Sequence, residues 1–380
     1  MEATKVLHKK KLLAPKLRFM GFTDTWVEKR LGEIFKINAG GDIDETHVSP
    51  IQTEKHKYPI YANAEKNKGF YAYSDIYKVE AGTITIAGRG VNIGIAHARD
   101  HRFYPIVRLL VLTPLNNENI NFGEYAINRI NLFPESTGVP QLTVPQVSGY
   151  RIAIPNLLEQ LKIASFLSAV DEKIQQLTGK KELLDQYKKG LMQQLFSGKM
   201  RFKDENGKAF PKWEEKRLGD VLDYIQPTKY LVASTEYDDS YATPVLTAGK
   251  TFILGYTNET NDIYSKNLPV ILFDDFTTAT QFVDFPFKAK SSAMKILVAK
   301  KVENISYIYE AMRLIKFEIG GHGRHWISQF ALFNIPYPCI DEQKKIANFL
   351  SNIDEKIEIV NKQITQTQTF KKGLLQQMFV

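Results

Sequence analysis

EQLKIASFLSAVDEKI, residues 159–174, returns as EQKKIANFLSNIDEKI at residues 342–357, a constant offset of 183. Beyond a diverged middle, both copies close on a second shared string, KKGLMQQLF at 188–196 and KKGLLQQMF at 371–379, so 19 of the 38 aligned positions are identical. A period this long is not a solenoid unit. It marks two domain-sized modules that each end in the same segment. Within that segment Ile163, Val170, Leu177, Leu184 and Leu191 fall seven apart, and Ile346, Ile353, Val360 and Leu374 keep the same line with one polar break at Thr367. Tyr187 and Phe370 fall among the positions that flank it. Heptad spacing sustained this far is a coiled-coil seam. Asn156 followed three residues later by Glu159 reads as a capping box, and Pro155 and Pro338 end an extended lead-in to each helix.

At ~1.5 Å per residue each rod runs about 57 Å and cannot hide its stripe alone. The same seam occurs twice in one chain, so the economical solution is antiparallel pairing of the two rods, which ties the modules into one body. The other arrangement is an ordinary core helix covered by its own module.

A second signature opens each module. Trp26-Val-Glu-Lys-Arg-Leu-Gly-Glu33 returns as Trp213-Glu-Glu-Lys-Arg-Leu-Gly-Asp220, with the tryptophan expected to start a short helix. The offset grows from 183 to 187 across a turn at Asp204-Glu205-Asn206-Gly207. The interiors diverge, but Tyr58–Ala62 through Gly69 aligns with Thr243–Thr247 through Gly255. Strands are expected at 83–87, 107–112, 270–273 and 294–298, where β-branched and aromatic residues lie between Gly, Pro and Asn clusters. Helices are expected at 123–130 and 305–317. The layout is a basic tail (1–17), a first module (18–155), a central helix (156–198), a second module (199–338) and a C-terminal helix (339–380). The fold class is α+β.

Composition is that of a globular chain, with 43% hydrophobic residues. No apolar run has membrane-spanning length, a signal-peptide core is not evident, and the lone Cys339 excludes an internal disulfide or a cysteine-built zinc site. A cytoplasmic protein is the expectation. The net charge of +8 suggests nucleic acid, but its distribution matters more. Residues 1–18 hold six basic side chains against Glu2, whereas 19–158 has 14 basic and 14 acidic residues and 197–341 has 18 of each. Phosphate binding must therefore come from local patches.

The doubled Trp-anchored signature, the Ile-Pro lead-ins, EQxKIAxFLSxxDEKI and KKGLxQQxF together resemble the specificity subunit of type I restriction-modification systems, over nearly the whole chain. The resemblance implies a non-catalytic reader of double-stranded DNA, with two target recognition domains on the two halves of a split, asymmetric site. It implies that the helices space the domains and bind two modification subunits, which bring S-adenosylmethionine and methylate adenine; no cofactor is expected in this chain. Restriction subunits would join to translocate and cut DNA. Half-sites on DNA sit ~34 Å apart per helical turn, a spacing that the rods could set. A reading from another class is a helical scaffold whose modules bind protein.

Several stretches are candidate DNA contacts. Gly88-Arg89-Gly90 is either a plain turn or a tip from which Arg89 forks onto guanine or phosphate. In Gly320-Gly-His-Gly-Arg-His-Trp326 the glycines allow close approach, with His322 and Arg324 as groove residues. On the loop matched between modules, Lys66 and Lys68 suit phosphate and Asn63 an adenine edge, with Lys250 and Thr251 as counterparts. The pairs His322/His325 and His97/His101 have metal-like spacing without a ligand cluster. Asn334-Ile-Pro-Tyr337 departs from the Asn-Pro-Pro-Tyr of adenine methyltransferases and aligns with the other lead-in, so it reads as scaffold. Asp274-Asp275 has no matching lysine-bearing strand for a nuclease. Asp171-Glu-Lys173 and Asp354-Glu-Lys356 read as helix-surface or partner contacts.

Overall fold

The computed structural model describes residues 13–63, 67–134, 140–300, 303–317 and 324–380. The chain forms two compact units, Met1–Thr178 with Lys362–Val380, and Gly179–Asn361. Each unit holds one module, the first part of the helix that follows it, and the last part of the other long helix.

In the first unit the tryptophan is followed by a strand, not a helix. Val27–Arg30 pairs antiparallel with the lead-in Arg151–Ile154, closing the module's beginning onto its end, and only then does the single turn Leu31–Ile34 form. The lead-in alternates, burying Ile152 and Ile154, and pairing with this strand outweighs the helix signal in Glu-Lys-Arg. Phe35–Ala39, Leu110–Pro114, Thr83–Ile86 and Ala96–Arg99 make a four-stranded antiparallel sheet in that order. A second sheet orders Val48–Ser49, Phe70–Ser74, Tyr58–Tyr61 and Tyr104–Pro105. The strand expected at 107–112 starts later, because Val107 and Arg108 adopt positive φ and turn the chain. The helix Ile120–Ile127 is capped by Asn119, whose side chain accepts from the Phe122 N–H at 2.9 Å, and buries Phe122 and Ile127 on Ile84 and Leu112.

The second unit repeats this plan. Glu214–Arg217 pairs with Asn334–Tyr337; Leu222–Ile225, Met294–Ala299, Val270–Asp274 and Thr280–Val283 form the four-stranded sheet; Ile253–Thr257, Thr243–Leu246 and Lys288–Ala289 form the other. Asn304 caps Ile305–Met312 as Asn119 caps its counterpart.

The central helix, Leu157–Phe196, and the C-terminal helix, Ile340–Met378, pack together antiparallel. In the first unit Ile163 and Leu167 share a core with Leu374, Met378 and Phe379, and Asp171 accepts from Lys371 Nζ. In the second, Leu191, Leu195 and Phe196 share a core with Ile346 and Ile353, and Lys188 Nζ lies 2.7 Å from Asp354. Leu177 and Val360 are buried, Val170 and Leu184 half-buried. Tyr187 and Phe370 stand outside the seam, each 55% exposed. The modules cover the rod ends as well. Phe379 stacks on Phe122 with centroids 5.3 Å apart, and Phe196 on Tyr307 at 5.2 Å.

The expected capping box at Asn156 is half made. Its side chain accepts from the Glu159 N–H at 3.0 Å, but the Glu159 carboxylate is taken by Arg18, at 2.6 and 2.7 Å. The contact recurs as Arg201 on Glu342, at 3.1 and 2.7 Å, where Trp213 Nε1 donates as well. A fully buried carboxylate at a helix's first turn is thus neutralised twice by the arginine that opens each module.

Candidate nucleic-acid interface

The sequence-predicted residues gather on loops at one edge of each unit. In the first, loop 62–69 follows the strand Tyr58–Tyr61, loop 87–95 joins Thr83–Ile86 to Ala96–Arg99, and loop 106–109 precedes Leu110–Pro114. Asn63 ties all three. Its Oδ1 accepts from the Gly88 N–H at 2.8 Å and its Nδ2 donates to the Val107 carbonyl at 2.5 Å. Both ends of the amide are thus engaged with backbone, which makes Asn63 a staple between loops. Arg89, next to Gly88, donates from Nε to Gln141 Oε1 at 2.8 Å and also from Nη2, so its guanidinium is aimed.

Lys68 is exposed on the same loop, with φ 55°. Its carbonyl accepts from Nη2 of Arg99 at 2.6 Å. Arg99 is buried, donates to Thr85 Oγ1 at 3.0 Å and lies 3.6 Å over the Tyr61 ring; burial pulls its pKa below the ordinary value. Gly69 is required here, since a Cβ would meet the Ala62 carbonyl oxygen at 2.6 Å. Lys66 lies outside the described residues.

In the second unit Lys250 and Thr251 are exposed on loop 247–252. That loop is closed by Thr247, whose hydroxyl donates to the Thr251 carbonyl at 2.7 Å, and Gln281 Nε2 reaches the Gly249 carbonyl at 3.4 Å. Loop 275–279 meets loop 290–293 where the Asp275 N–H donates to Ala293 O at 3.1 Å. Asp275 also holds the Arg324 segment, accepting from the His325 N–H on its carbonyl and the Trp326 N–H on its side chain, both at 2.9 Å. Arg324 is exposed beside this junction, and His322 lies outside the described residues.

The remaining candidates have structural employment. Asp274 Oδ1 accepts from the N–H groups of Phe276 and Thr277, and the buried Asp275 carboxylate pairs at 3.2 Å with buried Lys295 on the neighbouring strand Met294–Ala299, the lysine-bearing strand that was not evident in sequence. His101 bonds to Tyr61 and Asp100, whereas His97 faces Glu124 at 3.6 Å. His325 is buried edge-on to Phe317. Among the described residues Arg89, Arg108, Lys250 and Arg324 form no salt bridge. An unpaired guanidinium can fork onto the O6 and N7 of guanine or onto phosphate. Two participants escaped the sequence reading. Arg108 was hidden inside an apolar run that read as strand. Gln141, more than 50 residues from its partner Arg89, offered no local signal.

Residues 23–186 and 211–368 each match the model of the type I restriction modification DNA specificity domain. Over 163 residues the chain is 45% identical to the specificity subunit of the type I restriction enzyme EcoR124I/EcoR124II of Escherichia coli. That stretch covers 41% of this chain and 40% of the relative, so less than half the relative's length is matched. A longer match, 27% identical over 316 residues and 75% of this chain, is to the MjaX specificity subunit of Methanocaldococcus jannaschii, of which it covers 70%. The fold is similar to that of a type I restriction-modification S subunit from M. genitalium, with a TM-score of 0.72 over 97% of this chain and 99% of that one, at 18% identity. With both modules matched, the chain belongs to the type I restriction-modification DNA specificity family, carrying two copies of its domain in tandem.

Proposed function

We propose that this chain is the non-catalytic, DNA-reading subunit of a type I restriction-modification complex. The observation that carries it is the loop edge. On one repeated scaffold, each unit brings its diverged loops together and presents there basic side chains that form no salt bridge among the described residues: Lys68, Arg89 and Arg108 in one, Lys250 and Arg324 in the other. Unlike readers imply unlike half-sites, hence a bipartite, asymmetric DNA sequence. Phosphate contacts set register and loop side chains address base edges.

Catalysis belongs to partners. Two modification subunits, which hold S-adenosylmethionine, dock along the paired helices and methylate adenine in the bound site; restriction subunits assemble on that core. Tyr187 and Phe370 occupy equivalent places in the repeat and expose about half of each ring, which suits one docking point per modification subunit. A methylation map of cells expressing the chain with its modification partner tests the reading. The expected result is adenine marks at one split, non-palindromic motif. A map without any new mark would favour a protein-binding scaffold, and Tyr187→Glu with Phe370→Glu should abolish the marks without unfolding the chain.

A further inference from the structure

Two adjacent non-glycine residues, Val107 (φ 52°) and Arg108 (φ 62°), occupy the left-handed region. For a β-branched side chain that conformation is an outlier, and such backbone persists only where its surroundings over-determine it. Here they do. The Val107 N–H donates to the Gly41 carbonyl at 3.0 Å, the Arg108 N–H to the Gly40 carbonyl at 3.2 Å, and Asn63 Nδ2 grips the Val107 carbonyl at 2.5 Å. Two glycines make room. A Cβ on Gly40 would meet Pro105 at 2.8 Å, and one on Gly88 the Arg108 carbonyl oxygen at 3.0 Å.

The fold does not need this turn. In the second unit the corresponding strands, Lys288–Ala289 and Met294–Ala299, are joined through Lys290-Ser291-Ser292-Ala293, none of which has positive φ. The strain therefore belongs to what the first module presents, and the turn presents an exposed Arg108 beside the aimed Arg89.

We infer that Arg108 reads a guanine edge in the half-site of the first module, with Asn63 as the positioning residue that locks its turn. This rests on the DNA-reading function proposed above and adds the residue that sets part of its specificity. Bidentate contact to O6 and N7 suits a guanidinium held on a rigid turn, whereas a glutamine there would suit adenine.

The test compares methylated motifs of the full chain, expressed with its modification partner, for the parent, Arg108→Ala, Arg108→Gln and Asn63→Asp. Arg108→Ala is expected to relax one G·C position in one half-site, with discrimination there falling roughly tenfold and the other half-site unchanged. Arg108→Gln should shift that same position towards A·T. Asn63→Asp, which keeps the acceptor for Gly88 but loses the donor to Val107, should blur the same position while Arg108 is intact. An unchanged motif in both Arg108 variants overturns the inference. So does a uniform loss of marks with all preferences kept, since that is the behaviour of a phosphate contact. A parent chain that yields no split motif overturns the DNA-reading function itself, so the two failures are distinguishable.

Discussion

Val107 holds a conformation that glycine adopts freely. Val107→Gly is therefore expected to stabilise the chain by about 1 kcal/mol, read as a higher urea midpoint with an unchanged slope, even though a side chain is lost. A lower midpoint would mean that the turn stores no strain. The acid limb offers a second measurement at this scale. Glu259 is held below the usual carboxylate range, first by the Lys288 ammonium at 2.5 Å and then by the Ser234 and Ala233 N–H groups. A depressed carboxyl contributes stability above the ordinary glutamate range and loses it as pH falls through the lowered value. Thermal midpoints should thus decline on acidification below about pH 4, and Glu259→Gln should lower the neutral midpoint while flattening that decline. Single residues were the least legible part of the sequence. Asn63 was readable as a polar loop residue, but whether its amide faces a base or the backbone depends on loops 25 and 44 residues away.

The long helices were legible as elements, because a heptad line survives any uncertainty about what surrounds it. Their register was not. Asp171 and Asp354 sit in one repeated string and Lys188 and Lys371 in the other, and only the antiparallel alignment shows that each aspartate meets a lysine across the pair. The two ion pairs are equivalent in sequence and unequal in burial. Lys188 is 6% exposed and also bonds to Glu310, which is 7% exposed, whereas Lys371 and Asp171 are 24% and 40% exposed. Lys188→Met removes the shorter of the two cation contacts to the buried Glu310 carboxylate, leaving it Arg313 at 3.2 Å, and should cost about 2 kcal/mol. Lys371→Met leaves Asp171 near solvent with the Tyr125 hydroxyl still donating, and should cost under about 1 kcal/mol. Adding Glu310→Met should recover most of the first loss. Equal costs for the two lysine changes, measured by chemical unfolding, would remove burial as the deciding term. Tyr187 and Phe370 mark where the periodic reading overreached: both suit the seam in sequence, yet the packed faces on either side leave them outside it.

Across the whole molecule, duplication separates what holds each unit together from what each unit recognises. The Arg18–Glu159 contact and its copy, Arg201–Glu342, both span 141 residues, and the aromatic stack at each rod end is copied with nearly the same spacing. The loops share only their placement. Changes to the shared framework should therefore act on stability unit by unit, and changes to the loops on specificity half-site by half-site. Arg18→Met removes the partner of a fully buried carboxylate and should destabilise the first unit by about 3–5 kcal/mol. Glu342 retains the Trp213 donor, so Arg201→Met should cost less in the second unit. Calorimetry of Arg18→Met should show a low-temperature transition that the parent lacks, while a chain that still unfolds in one step would show the two cores to be energetically inseparable. Conversely, Arg324→Ala should leave the parent's unfolding transition unchanged and relax only the half-site that Arg108→Ala leaves untouched. If one loop change altered both half-sites, recognition would not be modular, and the unlike surfaces on this repeated framework would need another explanation.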